Sequence, residues 1–186
     1  QNLISTYPTA FRYLFFHPKI GLWMGATPEQ LVKINQNQFE TVALAGTQLY
    51  SENVIWATKE IEEQQFVTDY IVAKVKDKVT KLIVSDVKTV KAGNLAHLKS
   101  FISGELTTDF LANDLIKALH PTPAVCGLPK EKAIDFILKN EDYNRKYYAG
   151  FLGEYKKDNQ TDLFVNLRCL EVENEAVNIY VGCGIT

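Results

Sequence analysis

Residues 39–45 read FETVALA, and the class of fold turns on them. The first positions alternate apolar with polar, as in a strand that buries one face. The last are continuously apolar, so the strand enters a buried sheet. The QNQ of residues 36–38 reads as a hairpin turn and joins this strand to another at 31–34. Two more strands lie upstream, FRYLFF at 11–16 and GLWMGA at 21–26. Downstream the period changes. Val67, Ile71, Val75, Val79 and Leu82 recur at helical spacing with Lys74, Lys76 and Lys78 between them, which predicts one long helix over 54–82. Strand-like runs follow at 81–84 and 87–91, and residues 95–102 read as extended. Thr107 or Thr108 is placed to cap a helix running to Leu119, and Pro129 suits the first turn of a helix reaching Lys139. The last third reads as a meander, with a strand at 163–172, a turn at 173–175 and a strand at 177–181. This is an α+β chain.

The 186 residues, 46% hydrophobic and 23% charged, suit one globular domain or a large part of a bigger one. A net charge of −2 gives no electrostatic case for nucleic acid or an acidic membrane as partner. No apolar run approaches the roughly 20 residues of a membrane span, and no signal-peptide pattern opens the sequence. Cys126, Cys169 and Cys183 are odd in number and follow no metal spacing, so small buried thiols in a reduced, cytoplasmic setting are expected. The chain begins at Gln1 and stops at GCGIT, and both ends read as cut. A monomer acting on a small molecule is the expected form.

Several residues invite chemistry. Glu29 follows the bend marked by Gly25 and Pro28, and it faces either solvent or, as a general acid must, a pocket. Glu60 and Glu63 lie three apart on one helix face. They form either a solvated acidic face or part of a site for a hard cation such as Mg²⁺. Arg168 interrupts the apolar run FVNLRCLEV. It is either an edge-strand arginine or a bidentate carboxylate binder. Gly182 and Gly184 strip side chains from a strand end, which allows a simple kink or an anion held by backbone amides. His97 among apolar neighbours reads first as a core histidine, and Tyr148 is open to either reading. The loop HPTPAVCGLPKEKA, 120–133, is rigid, small and nearly uncharged: a tight connection, or a place where backbone meets a ligand.

Taken together, the segments GATPEQL, ALAGT, TKEIEEQ, the HL at 97–98, HPTPAVCGLPKEKA, RKYYAGFLGE, LFVNLRCLEV and VGCGIT resemble, in order and over almost the whole chain, the chorismate-utilising enzymes. That family includes isochorismate, salicylate and anthranilate synthases. The resemblance implies the anthranilate synthase component I-like fold, antiparallel sheets with outer helices, and one chorismate-binding domain over 1–186, incomplete at both ends. It implies Glu29 as general acid, and it matches the family's histidine to His97. Glu60 and Glu63 fall in the Mg²⁺ site. Gly46 and Thr47 line the substrate site, Tyr148 and Arg168 hold the enolpyruvyl carboxylate, and Gly182 and Gly184 supply amides.

The loop at 120–133 is similar to that of the isochorismate synthases. Ala124, beside Val125, stands where amine-using members carry a hydroxyl, which implies water as nucleophile. Chorismate would then become isochorismate, by water addition at C2 and loss of the 4-hydroxyl, for menaquinone or siderophore synthesis. A salicylate synthase or a catalytically dead chorismate-binding module are the alternatives. The family's water-activating lysine lies further upstream of Glu29 than this sequence reaches, and its second carboxylate cluster lies beyond the final glycines. Inactivity of the 186 residues alone is therefore expected.

Overall fold

A computed structural model describes residue 5 and residues 7–182. In chain order the elements are β1 (Phe11–His17), β2 (Gly21–Thr27), β3 (Gln30–Asn35), β4 (Gln38–Leu49), α1 (Thr58–Val75), β5 (Val79–Val84), β6 (Lys88–Ala92) and β7 (Leu95–Leu106). There follow α2 (Ala112–Leu119), the single turn α3 (Pro123–Cys126), α4 (Lys130–Asn140), β8 (Phe151–Lys157), β9 (Gln160–Val165), β10 (Cys169–Val172) and β11 (Val177–Tyr180).

The strands form two antiparallel sheets. The smaller runs β1-β2-β10-β11, and the larger β5-β7-β4-β3-β9-β8, with β6 also paired to β7. The expected α+β fold with outer helices is present. In β4 the alternation reads directly as burial: Phe39, Thr41, Ala43 and Ala45 are buried beneath α1, whose inner stripe is Gln64, Val67, Thr68, Ile71 and Val75. With Leu31, Val32, Ile102, Leu115, Leu119 and Val165 these apolar side chains form the main core. Each large aliphatic buried there contributes about 1.5–3 kcal/mol. A second, aromatic cluster of Trp23, Tyr148, Ala149, Cys169 and Tyr180 lies on the inner face of the small sheet. Val125 and Leu167 pack against both clusters.

Three sequence expectations change. The helix predicted over 54–82 occupies only Thr58–Val75. Before it the chain is held extended, with Gln48 Nε2 donating to the Ile55 carbonyl at 2.9 Å and Trp56 Nε1 to Thr89 Oγ1 at 2.8 Å. After it Lys78 N–H closes a turn on the Val75 carbonyl at 2.9 Å, and Val79 opens a strand opposite Leu106. Neither threonine caps α2. Leu111 takes that place, its N–H bonded to Asp114 Oδ2 at 3.1 Å, while Thr107 Oγ1 donates to the Lys78 carbonyl at 3.2 Å. The run at 163–172 is not one strand. It breaks at residues 166–168 and crosses from the large sheet to the small one, with Arg168 in the left-handed region at φ 51°.

Candidate active site

Two crossovers build the site. The chain passes from the small sheet to the large one at residues 28–29 and back again at 166–168, and the two passages are hydrogen-bonded side by side. Ala26 N–H donates to the Arg168 carbonyl at 3.2 Å, and Val165 N–H to the Glu29 carbonyl at 2.8 Å. Thr27 Oγ1 donates to the Val165 carbonyl at 2.7 Å and accepts from Glu29 N–H at 3.4 Å. A general-acid candidate and an arginine 139 positions away in sequence are thereby brought to one edge.

Glu29 is half-buried, and Thr122 Oγ1 donates to its Oε1 at 3.4 Å. Burial pushes its carboxyl up to about 7, against the Thr122 hydrogen bond and the Arg168 charge, which both favour the carboxylate. Thr122 was not singled out in the sequence. Its signal was its place between Pro121 and Pro123, and this contact identifies what the rigid loop touches. The peptide bonds before Pro121 and Pro129 are cis. Arg168 is exposed, in neither a strand nor an ion pair among the described residues, so neither a buried nor an edge-strand arginine describes it. Its guanidinium is free to meet an anion.

Beside these lies the bulge of β4. The β4–β7 register slips between Ala45 and Thr47, and Gly46 sits there at φ 69°. A Cβ on Gly46 would lie 3.1 Å from both Cβ and the carbonyl oxygen of Glu60, so glycine lets the strand meet the first turn of α1. Glu60 and Glu63 follow on one face of that turn, both half-buried and with no hydrogen-bond or ion-pair partner among the described residues. Among the described residues no third acidic, histidine or cysteine side chain joins them there. Opposite the bulge, Thr47 Oγ1 meets His97 Nδ1 at 3.0 Å. His97 is buried, and its Nε2 has no partner among the described residues, so within them it is not the satisfied core histidine its neighbours suggested. Burial, then the nearby Arg168 charge, lowers its pKa and keeps the ring neutral, against the Gly46 backbone.

The third wall is the loop ahead of β8. Tyr148 is buried, and its ring stacks on Tyr180 at 5.4 Å between centroids. A Cβ on Gly182 would collide with the Tyr148 hydroxyl, so the bare backbone there lies directly against it. Val125 is mainly a packing residue between the two cores, and Ala124 beside it is exposed. Gly184 and Cys183 lie outside the described residues, whereas Cys126 and Cys169 are buried free thiols as expected. Of two surface grooves, the one of about 450 Å³ contains none of these groups, and the one of about 610 Å³ reaches only Tyr180 behind Tyr148. Among the described residues no helix is long and apolar enough to cross a membrane.

This fold and this edge belong to one class of protein. The chain is a member of the chorismate binding enzyme family, whose sequence model matches residues 1–186. It is 31% identical over 174 residues to the isochorismate synthase DhbC of Bacillus subtilis, covering 87% of this chain and 44% of that protein. Among solved structures it is similar to MenF, the menaquinone-specific isochorismate synthase from Escherichia coli. That match has a TM-score of 0.77 and 25% identity over 84% of this chain and 38% of the other. Its backbone also matches anthranilate synthase component I from Streptococcus pneumoniae, with a TM-score of 0.82 at 24% identity, covering 95% and 41%. The chain spans less than half the length of these relatives.

Proposed function

We propose that the chain carries the acid and carboxylate-binding side of an isochorismate synthase site. The reaction would convert chorismate to isochorismate by adding water at C2 and releasing the 4-hydroxyl. The observation that carries this reading is Glu29. A carboxyl pushed up to about 7 holds a proton near neutrality, as a group that protonates a departing hydroxyl must. It also stands beside an unpaired arginine suited to the substrate's carboxylate. Tyr148 and the Gly182 backbone, which lie against each other, would hold the same carboxylate. His97, neutral and with Nε2 unpartnered, offers a hydrogen bond to the bound ring.

The family's Mg²⁺ fits two half-buried, unpaired carboxylates one helical turn apart, so Glu60 and Glu63 would hold it, with water or substrate completing the shell. When bound, the ion would neutralise a ring carboxylate and draw electron density from the reacting carbons. Ala124 offers no hydroxyl to steer an amine, which supports water as nucleophile.

The test is to incubate the intact protein with chorismate and Mg²⁺ and to separate isochorismate, salicylate and anthranilate. Isochorismate as the first product is expected. Anthranilate only with ammonia, or salicylate with pyruvate, would assign the site to another member of the family. Arg168→Lys is expected to raise KM for chorismate at least about tenfold, since a point charge cannot reproduce the bidentate fork.

A further inference from the structure

The loop that presents Tyr148 is held from two sides, by residues that flank Arg168. On one side Asn166 Nδ2 donates to the Tyr147 carbonyl at 2.9 Å, and Ala149 N–H to the Asn166 carbonyl at 3.0 Å. Asn166 Oδ1 accepts from Tyr13 at 2.6 Å. On the other side Lys146 Nζ donates to both oxygens of Glu171, at 2.8 and 2.7 Å, and to Glu173 Oε1 at 2.6 Å. Three ammonium protons meet three carboxylate oxygens. Glu171 is buried, its side chain only 3% exposed, among the aromatic residues of the small sheet. An isolated carboxylate there is strongly unfavourable, so Lys146 must stay in place. The second Glu171 oxygen also accepts from Tyr180 at 3.2 Å, and Tyr180 carries the Tyr148 ring. Lys146 itself adopts φ 49°, its N–H turned onto Asn144 Oδ1 at 2.8 Å.

We infer that Lys146, through its pairing with Glu171, is a positioning residue for the carboxylate-binding wall, fixing the Tyr148 hydroxyl against the Gly182 backbone. The chain of contacts is Lys146–Glu171–Tyr180–Tyr148; Tyr180 lies two residues before Gly182, and the chain ends on the Tyr148 ring whose hydroxyl meets the Gly182 backbone. Neither charged group touches the proposed substrate. Without the pair, Tyr148 keeps its stacking partner but the loop loses its tether to β10, and the wall loses definition. This inference rests on the substrate reading above, and its test separates the two.

The experiment uses the intact protein in a background where Trp56 and every tryptophan outside these 186 residues are replaced by Phe, which leaves Trp23 as the reporter. Trp23 is fully buried between Tyr180, stacked at 5.2 Å, and Tyr147, edge-on at 5.4 Å. Lys146→Met is compared with Lys146→Arg, which reaches the same carboxylates. The double change Lys146→Met with Glu171→Gln avoids a buried unpaired charge and so keeps a folded protein. In the double variant, below its melting temperature, KM for chorismate is expected to rise about tenfold with kcat within about threefold. Trp23 emission shifts to the red, and Lys146→Arg restores both. A loss of melting temperature with KM and Trp23 emission unchanged would make the pair merely structural and overturn the inference. If the parent protein binds no chorismate, the substrate reading fails, and Trp23 emission alone decides whether the pair fixes the loop.

Discussion

Glu29 shows how one residue takes its chemistry from chain crossing. Its backbone carbonyl is claimed by Val165 and its N–H by Thr27, so the side chain is delivered to the edge where Arg168 and Thr122 converge. Desolvation outweighs both, and the carboxyl rises to about 7. The sign of the consequence follows. A folded value above the ordinary 4.5 means that the neutral form is favoured by folding. That stabilisation is complete below pH 4.5 and is lost as the pH passes through about 7. Glu29→Gln, which cannot ionise, should therefore gain stability over the parent by roughly 1–3 kcal/mol between pH 5 and 8.5. Urea unfolding at the two pH values measures this, and an equal difference at both would make Glu29 an ordinary carboxylate. The same substitution should lower kcat by about 10²–10⁴ with KM nearly kept, because shape survives and the transferable proton does not. Parent kcat should fall above about pH 7 as the acid loses its proton.

Among the elements, β4 and α1 decide whether the proposed metal carboxylates have a place to stand. Gly46 is left-handed in a bulge, and a side chain there would press on the Glu60 backbone. Gly46→Ala should cost about 1–3 kcal/mol, and it should displace the first turn of α1. Guanidinium unfolding with and without Mg²⁺ would test both effects. A variant as stable as the parent, with undiminished Mg²⁺ stabilisation, would separate the bulge from the carboxylate pair. How far sequence reveals such elements depends on how unique the pattern is. Strands β1 to β4 were legible because alternation and the turn at residues 36–37 admit one register. The end of α1 was not, because Val75, Val79 and Leu82 fit a helix and equally a strand that starts inward after a tight turn. The break at Arg168 gave no sign either, since a left-handed arginine is set by the neighbouring crossover and not by its own propensity. Glu29, Arg168 and the Glu60–Glu63 pair were readable as residues. The link of Thr122 to Glu29, 93 positions apart, and that of Lys146 to Glu171 exist only once the sheets have formed.

At the scale of the whole molecule the two sheets differ in what they leave open. The large sheet is covered by α1 and α2 on its core face. The small sheet buries Tyr13, Phe15, Trp23 and Tyr180 inward, and its register aligns the opposite face into two apolar rows. One row is Leu14, Met24, Leu170 and Ile179, and the other is Phe16, Leu22, Val172 and Val177. Leu14, Phe16 and Ile179 are 67, 68 and 69% exposed, so the rows form one patch and not scattered residues. Contiguous apolar surface of this kind is uncommon on a folded monomer and binds apolar dyes. The folded 186-residue chain should therefore enhance the fluorescence of 8-anilinonaphthalene-1-sulfonate without denaturant. Leu14→Lys with Ile179→Lys places two charges on one row, at positions where little packing is lost, so the melting temperature should move by no more than a few degrees. Dye emission should fall severalfold, and the concentration at which the chain begins to scatter light should rise. Strong dye binding that survives both substitutions would move the apolar surface to another part of the molecule. Absence of dye binding by the folded parent would mean that this face is closed in solution.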